Sequence, residues 1–196
     1  MRPFSDAVIA HIERLGGSWK EVSENATLTE RTCAINFPKR LLDVDTVKDH
    51  MSPEALGLPS IEAIKEMDQP LPDVPVTEAL PCGVRWAGDE WQPWGVQFEG
   101  QKNPLDFAEI DEDILEDMLE ALNRTTGTRI IQVTWSDGWP NHHLFLDDDP
   151  HPEDPAVYST DHEVYMSEIE RPAASLSEWL SEMLTDDEVY ALIAQG

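Results

Sequence analysis

Arg129-Ile130-Ile131-Gln132-Val133-Thr134-Trp135 and Asn141-His142-His143-Leu144-Phe145-Leu146, separated by the loop Ser136-Asp137-Gly138-Trp139-Pro140, decide how this chain folds. Both runs are short and rich in β-branched or aromatic residues, and glycine and proline punctuate the loop between them, so they read as two strands. Ala156-Val157-Tyr158-Ser159 reads as a third strand and Val164 to Ile169 as a fourth. Asp147 to Pro155, between the second and third, is an acidic, proline-containing loop.

Working outward toward the C-terminus, Ser175 caps a helix carrying Leu176, Trp179, Leu180, Met183 and Leu184, and Glu178 completes a capping box. Asp186 is placed to cap a final helical turn through Val189, Tyr190 and Ile193. Toward the N-terminus, Ile110, Ile114, Leu115, Met118, Leu119 and Leu122 recur at helical spacing and predict a helix over Glu109 to Asn123. Val84-Arg85-Trp86 and Gly95-Val96-Gln97-Phe98 flank a turn-like Gly88-Asp89-Glu90 and predict a hairpin. Asp68 to Pro81 holds four prolines and reads as an extended connector, preceded by short helices over Val44 to His50 and from Ser60 to Met67. Ala34 to Phe37 is a short strand stopped by Pro38. Phe4 to Leu15 is a helix capped by Ser5, with Val8, Ile9, Ile12 and Leu15 on its apolar stripe and Gly16-Gly17 ending it. Helices at both ends and in the centre, around short hairpin-like strands, define an α+β class with a mainly antiparallel sheet.

A length of 196 residues fits one domain, and seven tryptophans supply large apolar surfaces for its core. Cys33 and Cys82 are too few for a disulfide framework or a cysteine-based metal site; they read as two buried thiols or one disulfide. The N-terminal stretch lacks the apolar run of a signal peptide, and no run of about 18 apolar residues occurs, so a cytoplasmic location is expected.

Forty Asp and Glu against 13 Lys and Arg give a formal net charge of −27 at pH 7. Such a chain repels nucleic-acid phosphate and anionic membranes, whose recognition needs clustered Lys and Arg. It attracts basic proteins through its long-range field. Adaptation to a salty cytoplasm accounts equally well for the charge, and five lysines in the whole chain suit that reading too.

The acids concentrate in two places. Seven of them (Glu109, Asp111, Glu112, Asp113, Glu116, Asp117 and Glu120) cover the polar face of the central helix. Asp147, Asp148, Asp149, Glu153 and Asp154 fill the loop after the second strand. An acidic helix face of this kind can occupy the groove in which a basic partner would hold nucleic acid. Asp111, Glu112, Glu116, Asp117, Glu120, Asp147, Asp148, Asp149, Glu153 and Asp154 are therefore the candidate partner-binding residues, with Trp139 as an aromatic anchor.

Catalytic and cofactor motifs do not emerge. His142 and His143 are adjacent, so on a strand they point to opposite faces, and Asp147 to Asp149 lacks the spacing and glycine of a calcium loop. A solvated acidic loop is the favoured reading there. Asp161-His162-Glu163 reads as a polar turn rather than an acid–base pair, because no nucleophile-type turn accompanies it. Phosphate-cradling glycine motifs are lacking. Trp86, Trp91 and Trp94 form either a stacking platform or core packing, of which packing is the commoner use. No enzymatic activity, metal or cofactor is expected.

Four segments in order resemble the SUKH superfamily: His143-Leu144-Phe145-Leu146-Asp147, Asp154-Pro155-Ala156-Val157-Tyr158, Asp161-His162-Glu163, and Ser175-Leu176-Ser177-Glu178-Trp179-Leu180. The likeness covers roughly residues 130–185. The N-terminal half departs from the family pattern, and residues 41–81 read as a longer decoration of a single domain spanning 1–196. The resemblance implies an α+β fold and a non-catalytic role. In bacteria that role is commonly an immunity protein that neutralises a toxin, often a nuclease; in fungi it is a regulatory scaffold of cell-wall assembly. The expected partner is thus a basic toxin domain, and the alternative is a scaffold or housekeeping protein of the same fold whose acidity reflects high salt.

Overall fold

The computed structural model describes residues 1–49, 83–87, 119–124, 130–136, 141–161 and 169–193. Within them the chain is α+β with antiparallel pairing throughout.

α1 (Asp6–Arg14) starts at Ser5, whose hydroxyl accepts the Val8 N–H, and stops where Gly16 turns left-handed at φ 76°. β1 (Ser18–Trp19) pairs with β2 (Ile35–Asn36) as a two-stranded ribbon. Between them lies α2 (Leu28–Cys33), opened by a complete capping box of Thr27 and Glu30. α3 (Val44–Asp49) follows, matching the short helix expected over Val44 to His50.

β3 (Val84–Trp86) pairs with β5 (Thr134–Ser136) in the register Val84↔Ser136 to Trp86↔Thr134. Residues 95–98, the expected hairpin partner, lie outside the described residues. The run expected as one strand over 129–135 is instead divided into β4 (Ile130–Gln132) and β5. The division falls at Val133. Its N–H donates to His143 O at 2.8 Å on one side, while its carbonyl accepts from the Ala87 N–H at 2.8 Å on the other. In a regular strand both groups of one residue point to the same edge, so the backbone kinks there. The kink lets one strand serve two neighbours.

β6 (Asn141–Leu146) pairs with β4 and with β7 (Val157–Asp161), and β7 pairs with β8 (Ile169–Ala173), giving the order β4-β6-β7-β8. Of the strand expected over Val164 to Ile169, Ile169 opens β8, and residues 164–168 lie outside the described residues. Pro172 within β8 is consistent with an edge strand, where a missing N–H costs no ladder bond.

Alternation along these strands gives the sheet two apolar faces. Ile131, Val133, Phe145, Val157 and Ala173 pack on one side with Val8, Ile9 and Ile12 of α1 and with α4 (Leu176–Glu182) through Leu176, Trp179 and Leu180. Ile130, Leu144 and Leu146 face the other side and pack with Leu119, in the last turn of the central helix. α1 and α4 thus share one face, and Leu119 lies on the opposite one. Trp86 is core rather than a stacking platform. It is buried, its indole N–H donates to Thr32 O at 3.1 Å, and its ring meets Phe37 and Phe145 edge-on at 5.7 and 6.2 Å. Trp91 and Trp94 lie outside the described residues.

α4 begins as expected: the Ser175 hydroxyl accepts the Glu178 N–H. α5 (Asp186–Ile193) is capped by Thr185 rather than Asp186, because Thr185 and Glu188 exchange backbone and side-chain hydrogen bonds in a second capping box. Arg14 locks the three helices together. Its guanidinium donates at the end of α4 to Met183 O at 2.8 Å and to Leu180 O at 2.9 Å, which also accepts the Met183 N–H, and lies 3.1 Å from the Glu188 carboxylate.

Candidate partner-binding surface

The acidic loop after β6 is held from within. Asp149 accepts the His151 N–H at 2.8 Å through one carboxylate oxygen and the Ala156 N–H at 3.0 Å through the other. Asp154 does the same toward α4, accepting the Ser177 N–H at 2.8 Å and the Ser177 hydroxyl at 2.6 Å. The carbonyl of Glu153 accepts the Ser5 N–H at 2.8 Å, just before α1. Both Asp149 and Asp154 are half-buried. Of the five acids assigned here to a partner, these two spend their oxygens on building the loop. Asp147, Asp148 and Glu153 are exposed, and Glu153 lies 3.8 Å from the His151 imidazole.

The end of the central helix arrives beside this loop. Leu119 packs with Leu144 and Leu146, immediately before Asp147, and Glu120 next to it is exposed. Asn123 takes the left-handed conformation at φ 57° and ends the helix, with the Arg124 N–H donating back to Leu119 O at 2.8 Å. That reversal sets Arg124 Nε 3.8 Å from the Asp148 carboxylate. Residues 119–124 and the acidic loop, far apart in sequence, therefore meet through Arg124 and Asp148. Asp111, Glu112, Glu116, Asp117 and Trp139 lie outside the described residues, so their place relative to this edge is not defined.

Arg124 was not among the residues singled out from sequence. The signal was a base directly after the Asn that terminates an acidic run. With side chains 37% and 43% exposed, the Arg124–Asp148 pair contributes at most about 1 kcal/mol. It neutralises part of the edge without stabilising the fold much.

The neighbouring histidines diverge, as adjacent strand residues must. His142 Nδ1 receives the Gln132 amide at 2.8 Å, whereas His143 Nδ1 lies 2.7 Å from the Thr134 hydroxyl. Among the described residues, no three His, Cys, Asp or Glu side chains are grouped to hold a metal ion. A cavity of about 280 Å³ opens between the end of α1, Pro38 to Leu41 and the start of α5; Arg14 and Lys39 at its wall pair with Glu188 and Asp186. No helix among the described residues is long and apolar enough to cross a membrane.

No protein-family model matches the chain, and comparison with curated proteins and with solved structures finds no significant match.

Proposed function

We propose that this chain is an immunity-type binding protein that neutralises a cognate bacterial toxin, a basic nuclease domain fitting best, through its acidic surface. The observation that carries the reading is the exposed acidic group Asp147, Asp148 and Glu153 on a loop stiffened by Asp149 and Asp154. A preorganised acidic edge loses little entropy on binding and can compete for the basic groove in which a nuclease holds phosphate. A net charge of −27 steers a basic partner inward and makes association fast and salt-sensitive. The SUKH-like resemblance supports the same role. Two of its four segments, those of Asp154 and Ser177, hydrogen-bond directly to each other, which gives a physical reason for their occurring together.

A second reading is a scaffold or housekeeping protein adapted to high salt. It is favoured by the spread of exposed acids over other elements, such as Asp6, Glu13, Glu182 and Asp187.

Co-expression with the toxin encoded beside this gene separates the two. Rescued growth and a complex that forms at low salt and dissociates at high salt are expected of an immunity protein. No rescue and no complex at low salt would leave the scaffold reading standing.

A further inference from the structure

We propose that the contact of His143 with Thr134 and Trp179 is an acid-released latch holding α4 against the sheet. The latch sits on the kink at Val133, where the sheet changes neighbours. The Thr134 hydroxyl, fully buried on β5, accepts the His143 backbone N–H at 3.1 Å and lies 2.7 Å from the ring Nδ1. The hydroxyl has one hydrogen left to donate to an unprotonated Nδ1, an arrangement that suits a neutral imidazole with its proton on Nε2. The ring then rests against the Trp179 indole, with centroids 4.7 Å apart. Gln132 completes the cluster, its amide donating to His142 Nδ1 at 2.8 Å and to Thr134 O at 3.0 Å.

Protonating His143 is costly in this setting. The charged and titratable groups that act on the ring are His142, which opposes a second charge from the other face of the strand, and Asp43, which favours it. From β5 and α4 its neighbours are the uncharged Thr134 and Trp179. Burial outweighs the rest and holds the imidazole down at about 4. Opening the latch returns the ring to water and to its ordinary pKa near 6.5. Each pH unit below that value therefore favours the open form by about tenfold, and by about 150-fold in all once pH reaches 4. Release would travel with α4, whose Ser177 holds Asp154 and the acidic loop. None of this depends on the identity of a partner.

Amide hydrogen exchange measures the opening directly. The reporters are the N–H of Val133, bonded to His143 O, and that of Trp179, bonded to Ser175 O. After correction for intrinsic exchange, both opening constants should rise about tenfold per unit as pH falls below about 6.5. In His143→Asn, whose side-chain oxygen can still take the Thr134 hydroxyl but cannot be charged, that His143-dependent rise should vanish. Equal slopes in the two proteins would overturn the latch. Should the variant not fold, NMR titration of the wild-type imidazole decides: a midpoint near 4 together with the exchange slope upholds it, and a midpoint near 6.5 overturns it.

Discussion

Asp154 accepts both the backbone N–H and the hydroxyl of Ser177, at 2.8 and 2.6 Å, so one carboxylate ties the acidic loop to the first turn of α4. Charge-assisted hydrogen bonds of this kind are stronger than neutral ones, and this one also places an anion at a helix start. Asp154→Ala should destabilise the protein by about 2 kcal/mol in urea unfolding, and Ser177→Ala by about 1 kcal/mol. The double variant should cost clearly less than the sum of the two, because they remove the same contact. Additive losses would mean that the two residues act separately.

Arg14 donates to the Leu180 and Met183 carbonyls at the end of α4, while Glu188 beside it closes the capping box of α5. Arg14→Ala should lower stability by about 2 kcal/mol. Arg14→Lys should recover only part of the loss, since one ammonium cannot reproduce the fork that spans Leu180, Met183 and Glu188. Thermal unfolding of the three proteins checks the order.

Gly17 tests packing rather than polarity. A methyl group built there would lie 2.8 Å from the Phe37 ring and 2.9 Å from Ile12, both too close. Gly17→Ala should therefore cost about 1–3 kcal/mol by overpacking the seam between α1 and the β1–β2 ribbon. An unchanged urea midpoint would show that Phe37 can move aside freely.

Stability should fall on acidification in two stages. His143 is depressed to about 4 by burial first and His142 second, so the unfolded chain takes up a proton there before the native one does. Its contribution is complete above about pH 6.5 and declines by about 3 kcal/mol as pH falls to about 4. Glu30 and Glu188 are also lowered, chiefly by accepting the backbone N–H groups of Thr27 and Thr185. Their contributions are present above the ordinary carboxylate value of 4.5 and are lost below it. Unfolding free energies at several pH values should show the first stage missing in His143→Asn and the second retained.

The parts of this fold that local chemistry specifies could be read from sequence. Ser5, Gly16 and the Ser175–Glu178 pair mark helix ends by hydrogen bonds that span only a few residues. The β6 and β7 runs carry their own alternation. α2 escaped notice because it is one short turn and a half with buried Thr29, Arg31 and Thr32 on its inner side, so it shows no apolar stripe. Only its Thr27–Glu30 capping box signals it. The kink at Val133 and the pairing of β3 with β5 depend on partners distant in sequence, and no local pattern encodes them.

The acidic edge was half legible. Its residue types stood out, but exposure alone separates Asp147, Asp148 and Glu153 from Asp149 and Asp154, whose carboxylates face inward. Arg124 reached the edge through a helix-ending reversal at Asn123.

The proposed toxin-neutralising role is tested most directly by co-expressing a charge-reversed protein with a toxin encoded beside this gene. Asp147→Lys, Asp148→Lys and Glu153→Lys alter exposed side chains, and the triple variant should remain folded, at a cost that includes at most about 1 kcal/mol from the lost Arg124–Asp148 pair. The wild-type chain should restore growth of toxin-expressing cells, and the triple variant, folded and equally abundant, should lose that protection and the low-salt complex. A triple variant that protects as well as the wild type would contradict the claim that this edge binds the partner.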